Sequence, residues 1–295
     1  MVNFMVALQS QNPGGLFAAA KQNPKNHVRL SAQQVAAAYG ATPQSIMAVT
    51  QFMQDQGFVF LGEEPNGLAL QFQGLAGQIN SAFQTSLERY RFQGHTGYAP
   101  ATGIAIPSPL TGMVSGVLGL DTLIRPVSNL QIANSKIRKS QAGVVFDYTS
   151  LDMQTAYHVT PLYQNGFNGK GQVIAIATWA GYKHSDEATF NQQMGLPPTS
   201  LATATSYISI GGPASDIKNQ GGTDETTVDV AWSHTFAPGA TQEVAVGDLT
   251  AVPSFTASMY QVFSAIAGGT NGLTIPNVIT CSWGYQELYA PPQTN

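Results

Sequence analysis

Glu225 and Asp229 stand four positions apart in the run Gly221-Gly222-Thr223-Asp224-Glu225-Thr226-Thr227-Val228-Asp229-Val230-Ala231-Trp232-Ser233-His234. Residues at that spacing share one face of a helix. The pattern predicts a helix over 223–236, with Thr223 as N-cap and Asp224 complementing the dipole of the first turn. Two carboxylates so spaced ordinarily mark a solvated face. At about 100° per residue, however, Glu225, Val228, Asp229, Trp232 and Phe236 fall in one stripe about 100° wide, and Thr226, Thr227, Val230 and His234 occupy the rest. The acids thus share the stripe whose aromatic rings are expected to face the domain. Two like-charged groups held together and partly desolvated do not both ionise readily. They share a proton at moderately acid pH and titrate as a coupled pair. One can then act as general base while the other orients it. An acid pair satisfied by backbone donors at the helix start fits the same spacing, and the residues alone leave both readings open.

The other candidates are weaker. His234 falls opposite Glu225 on the wheel and is expected to be exposed or structural, so a Ser–His–Asp triad has little support. The five histidines show no metal-ligand spacing. Cys281 is the single cysteine, which excludes an internal disulfide framework. Within an apolar strand it is expected to be an inert buried thiol. Trp283 stands at a strand end and reads either as a cleft wall or as core packing. Gly169-Lys170-Gly171 lacks the spacing and the Ser/Thr of a phosphate-binding loop.

The elements that must position these residues form two sets. In the first, Val2–Leu8 reads as a strand, and an Ala-rich helical run covers Leu16–Lys21. Ser31-Ala32-Gln33-Gln34 is a capping box opening a helix that Gly40 stops. Thr42-Pro43 starts another helix that runs to Gly57. Phe58–Leu61 and Leu68–Phe72 read as strands around a Pro65-Asn66-Gly67 turn, Leu75–Phe83 as a helix and Leu87–Phe92 as a strand. Short mixed elements without βαβ units predict a small α+β domain over 1–124. Residues 125–150 lose periodicity and hold the basic cluster Lys136, Arg138 and Lys139, which suits a solvated linker or a processing site. In the second set, Val173–Ala177 reads as a buried parallel strand. Helices follow at Ser185–Met194, 223–236 and Ala251–Ala267, and a second buried strand runs from Pro276 to Gly284. That alternation predicts a doubly wound α/β domain over 151–295, with its site beyond the carboxyl ends of the strands.

Only 9% of residues are charged, against about a quarter in average proteins. A surface built from Gln, Asn, Ser, Thr and Gly changes little in charge as pH falls, which suits a protein working in acid. The net charge of −4 is mild, and no basic stripe points to nucleic acid. No apolar run reaches transmembrane length. The N-terminal Met1–Leu8 lacks the basic start of a signal peptide, so export would require a targeting segment outside this sequence.

Glu225-x-x-x-Asp229 followed by Trp232-Ser-His-Thr-Phe-Ala-Pro-Gly-Ala240 resembles the catalytic-helix signature of the sedolisin (serine-carboxyl, kumamolisin-like) peptidases. Leu30-Ser-Ala-Gln-Gln-Val-Ala-Ala-Ala-Tyr-Gly40, Phe83-Gln-Thr-Ser-Leu-Glu-Arg-Tyr90 and Val114-Ser-Gly-Val-Leu-Gly-Leu-Asp121 resemble that family's activation propeptide. Tyr157-His-Val-Thr-Pro-Leu-Tyr163, Gly169-Lys-Gly-Gln-Val-Ile-Ala175 and Cys281-Ser-Trp-Gly284 resemble the start of its catalytic domain. The segments are individually modest, and their shared order, from near Val6 to Tyr285, carries the assignment.

The resemblance implies a ferredoxin-like propeptide followed by a subtilisin-like doubly wound domain, C-terminally incomplete. It makes Glu225 the general base of a Ser/Glu/Asp mechanism, Asp229 its carboxyl partner, and Trp283 and Gly284 part of a substrate cleft. The partners it implies are a peptide or protein substrate and the chain's own propeptide, with no nucleic acid or membrane. It further implies secretion, and a calcium site whose ligands lie outside this chain. The family's nucleophile sits in Ser-Gly-Thr-Ser and its oxyanion Asp in Gly-Asp-Ser-Gly, and neither motif occurs in these 295 residues. Asp248 lies in the wrong context, and Ser282, inside a strand motif, is no substitute. The chain by itself is therefore expected not to cleave peptides. Kumamolisin-type members carry a Glu after the first buried strand, where Thr178 stands here. The alternative from another class is a non-catalytic peptide-binding protein or a propeptide-type peptidase inhibitor.

Overall fold

The computed structural model describes residues 1–22, 30–92, 94–128, 139–140, 143–144, 148–208, 222–250 and 252–285. Lys136 and Arg138 of the basic cluster, and residues 209–221, lie outside them.

In chain order the first part holds β1 (Val2–Leu8), α1 (Pro13–Ala20), α2 (Ala32–Tyr39), α3 (Pro43–Asp55), β2 (Val59–Glu63), β3 (Ala69–Gly74), α4 (Ala76–Phe83), β4 (Leu87–Phe92), β5 (His95–Pro100) and β6 (Val114–Leu118). Capping chemistry sets the helix starts. Ser31 Oγ accepts the Gln34 amide at 3.2 Å while Gln34 returns its side chain to the Ser31 amide at 2.8 Å, and Thr42 caps α3 ahead of Pro43. The sheet runs β2-β3-β1-β6, antiparallel throughout. On one face, Phe4, Val6, Leu70 and Phe72 meet Val49, Met53, Ile79 and Phe83 of α3 and α4 in a closed core. Phe4 is its centre, with ring centroids 5.2 Å from Phe58 and 6.0 Å from Phe72 and Phe83.

The later part holds β7 (Val127–Ser128), β8 (Lys139–Ser140), β9 (Gly143–Val144), α5 (Ser150–Ala156), α6 (Thr160–Gln164), β10 (Val173–Thr178), α7 (His184–Met194), β11 (Ser200–Ile208), α8 (Thr223–Phe236), β12 (Thr241–Gly247), α9 (Phe255–Gly268), β13 (Val278–Thr280) and β14 (Trp283–Gly284). Its main sheet is parallel, in the order β11-β12-β10-β13. Alternation along the strands assigns each face. Ala175, Ala177 and Ala245 pack with Phe255, Val262 and Ile266 of α9. Ile176, Val244 and Val246 pack with Val230 of α8. Small residues under α9 let that helix approach closely, and branched residues fill the other side.

Two expectations are corrected here. The run from Pro276 to Gly284 is not one buried strand. It breaks into β13 at the sheet edge, with Val278 and Ile279 exposed, and β14, which leaves the sheet to pair elsewhere. Cys281 falls in the break between them and is exposed rather than a buried thiol.

The far face of the first sheet rests on α9. Met5 and Ala69 join Val252 and Ala257 in a shared apolar cluster flanked by Leu118 and Tyr260. Beside it, Ser264 donates to Glu64 at 3.1 Å, Asn66 donates to Ser264 at 3.1 Å, and the Tyr260 hydroxyl donates to Asn66 at 3.3 Å. Burial pushes the Tyr260 phenol up to about 12, so it stays a donor. A strand buried on both faces reads as a nearly continuous apolar run, which accounts for Val2–Leu8, where Asn3 is the one polar residue.

Candidate active site

Parallel strands converge their carboxyl ends on one edge, where α/β sheets place their sites. At that edge lie Thr178 at the end of β10, the first turn of α8, and the Ser282–Gly284 segment after β13. The N-cap of α8 is Gly222, with φ 104°, and Thr223 is the first helical residue. Glycine is required there twice over. Its φ is left-handed, and a Cβ would collide with the Trp283 ring. The expected Thr223 cap gives way because the helix starts tight against an aromatic wall.

Glu225 is buried in that first turn, and its carboxylate accepts the Ser128 hydroxyl. One turn on, Asp229 Oδ1 accepts the Ser282 hydroxyl at 2.6 Å, while its Oδ2 is buried with no hydrogen-bond partner among the described residues. Hydroxyls from β7 and from the loop after β13 thus hold the pair. Burial, reinforced by the negative charge of Glu225 and opposed by the Ser282 hydrogen bond, pushes the Asp229 carboxyl above its ordinary value of 3.8. A raised carboxyl favours the fold in its acid form. That contribution is complete below the ordinary value and is lost as pH rises through the raised one. Asp229→Asn is therefore expected to flatten the decline in thermal stability between about pH 4 and pH 7. Parallel melting curves for parent and variant across that range would contradict it.

α8 is sandwiched, which corrects the wheel. Its deepest positions include Thr226, Val230 and His234, not the aromatic stripe. Trp232 lies against Phe190 of α7 at 5.8 Å and Phe236 against Tyr157 at 5.3 Å, both half-buried. Against the sheet, Thr226 bonds Thr178 at 2.6 Å and the Ala180 carbonyl at 2.9 Å. Thr178 thus ties α8 to the end of β10 through a pair of hydroxyls. His234 is fully buried, its Nε2 2.8 Å from the Pro197 carbonyl, and it plays a structural part away from the acids.

Trp283 is half-buried at the strand end. It packs edge-on to Trp179 at 6.5 Å, and it walls a cleft of about 540 Å³ with Arg125, Pro126 and Pro253. Trp283 and Gly284 pair antiparallel with Ser128 and Val127. A Cβ on Gly284 would meet nothing within 4 Å, so packing does not demand glycine there. Asp248 is buried in a turn, accepting from Thr250 N at 2.7 Å and Thr250 Oγ1 at 2.6 Å. Ser128 is the site residue that sequence reasoning missed. Its contact with Glu225 spans 97 positions, and nothing in its local pattern signals it.

Among known proteins, residues 1–123 match the family model "Pro-kumamolisin, activation domain". The chain is 25% identical over 274 residues to Sedolisin of Pseudomonas sp. (strain 101), covering 88% of this chain and 43% of that protein. It is 30% identical over 123 residues to Xanthomonalisin of Xanthomonas sp. (strain T-22), covering 40% of this chain and 15% of that protein. The chain spans less than half the length of these curated relatives. The activation-domain match over residues 1–123 and these two relatives support a sedolisin-type propeptide followed by part of a catalytic domain.

Proposed function

We propose that this chain is part of the pro-form of an acid-active, secreted serine-carboxyl peptidase, an endopeptidase or tripeptidyl-peptidase. Residues 1–124 are its activation propeptide, 125–150 a linker with the processing site, and 151–295 the first part of its catalytic domain. The antiparallel order β2-β3-β1-β6 supports a ferredoxin-like propeptide, and the parallel order β11-β12-β10-β13 a subtilisin-like catalytic sheet. The observation that carries the reading is the Glu225–Asp229 pair at the carboxyl edge of that sheet, each acid held by a serine hydroxyl.

In the complete peptidase a Ser-Gly-Thr-Ser segment supplies the nucleophile. Glu225 takes the serine proton as the serine oxygen attacks the peptide carbonyl, then returns it to the leaving amine. Asp229 orients Glu225 and shares its proton. An Asp from a Gly-Asp-Ser-Gly segment stabilises the oxyanion. A substrate strand pairs with Trp283–Gly284, the place Val127–Ser128 holds here. The propeptide connection therefore covers the cleft, with the Ser128 hydroxyl on the general base. Calcium belongs to this reading as a family expectation. Among the described residues no group of three or more His, Cys, Asp or Glu could hold a metal ion, and no step above runs through one.

The test assays the complete protein on an unfolded protein substrate from about pH 3 to pH 7. Hydrolysis that rises toward acid pH is expected. No hydrolysis, or an optimum at neutral pH, overturns the reading.

A further inference from the structure

α7 turns a polar stripe inward. Glu187, Asn191 and Met194 are its buried positions, at helical spacing. Glu187 is 3% exposed and Asn191 4%. Buried polar groups are normally hydrogen-bonded, and leaving one unpaired costs free energy. Here Glu187 Oε1 and Asn191 Oδ1 are both buried without a partner among the described residues. The Asn191 amide donates to Thr199 Oγ1 at 2.7 Å, which fixes the amide plane and leaves its oxygen to point elsewhere. Both side chains line a cleft of about 350 Å³ with Ala188, Leu196 and Pro198 along its walls. None of these residues belongs to the Glu225–Asp229 constellation.

The two unmet groups are acceptors, one of them a carboxylate, and the walls beside them include aliphatic side chains. The complementary ligand carries donors only, a positive charge and an aliphatic stem. We propose that this cleft binds a primary ammonium group on an aliphatic stem, as carried by a lysine side chain or a diamine. The ammonium has three donors and no acceptor. Two donate to Glu187 and Asn191, the third meets water at the mouth, and the stem covers Leu196 and Pro198. A bound divalent cation matches less well, since calcium takes six to eight oxygens and two protein oxygens wait here.

The intact 295-residue chain, at about pH 7.5, is titrated with 1,5-diaminopentane and, separately, with Nα-acetyl-lysine N-methylamide, by calorimetry and thermal melting. Saturable binding with a raised melting temperature is expected from at least one, and pentanol is expected to give neither. The tighter of the two amines identifies the source, a free diamine or a peptide side chain. Glu187→Gln keeps the side-chain volume and is expected to weaken binding about tenfold or more, because charge-assisted hydrogen bonds are the strong ones. Should that variant fail to fold, Ala188→Trp fills the cleft from an exposed helix position and is expected to abolish binding. No saturable effect from either amine, undiminished binding in Glu187→Gln or Ala188→Trp, or stabilisation by calcium chloride alone overturns the proposal.

Discussion

In the proposed complete peptidase, Glu225→Gln and Asp229→Asn are each expected to lower kcat at about pH 4 by roughly 10²- to 10⁴-fold, the usual worth of a positioned acid–base group. Both changes keep the shape of the side chain. With Glu225→Gln, the new amide still fills the buried first turn of α8 and accepts from Ser128, but it cannot take the serine proton. With Asp229→Asn, the amide oxygen still accepts from Ser282, but the group cannot share a proton with its neighbour. Because the loss falls on a proton in flight, KM is expected to change little. The two acids act as one unit, so the double variant is expected to be no worse than the poorer single one. Activity near that of the parent in either variant would remove that residue from the mechanism.

The second large effect is on stability. Phe4→Ala is expected to cost about 3–5 kcal/mol, the range for deleting a large aromatic side chain from a core. Phe4 is fully buried and touches three other aromatic rings, so the cavity has rigid walls and little room to collapse. That is a large share of the roughly 5–15 kcal/mol that stabilises an ordinary domain. Hydrogen exchange of the β1, β3 and β6 amides in the intact chain reads the loss locally. Phe4→Leu, which refills most of the volume, is expected to cost under about 1.5 kcal/mol. Equal protection in parent and Phe4→Ala would mean that the sheet is not held by this core. All three tryptophans, Trp179, Trp232 and Trp283, lie in the second part, so their fluorescence is expected to stay unchanged and serves as the internal control.

Much of the architecture is legible because local chemistry decides it. The strand Val2–Leu8, the Ser31 capping box and the Thr42-Pro43 start appear where the sequence expects them. So does the helix over 223–236, which ends just before Pro238-Gly239. In each case a cap, a proline or a mostly apolar run fixes the element without reference to distant residues. What is not legible depends on what covers an element. A single-stripe wheel assumes one packed face, but α8 is covered by α7 and α5 on one side and by the sheet on the other. Thr226 and His234 are therefore deeply buried, and their polar atoms find Thr178, Ala180 and Pro197. Cys281 reads as core from its apolar neighbours, but β13 is an edge strand and the chain turns away after it. The Glu225–Asp229 pair itself is visible as spacing. The hydroxyls that hold it, from Ser128 and Ser282, arrive from 97 and 53 positions away.

The proposed role of that pair predicts that the peptidase cuts its own connection between propeptide and catalytic domain once acid admits it to the cleft. The complete protein, and its Glu225→Gln and Asp229→Asn forms, can be shifted to about pH 4 and followed by intact mass spectrometry. A cut within residues 125–150 is expected in the parent, and an intact chain in both variants. Cleavage of either variant at the parent's rate would contradict the role assigned to the pair.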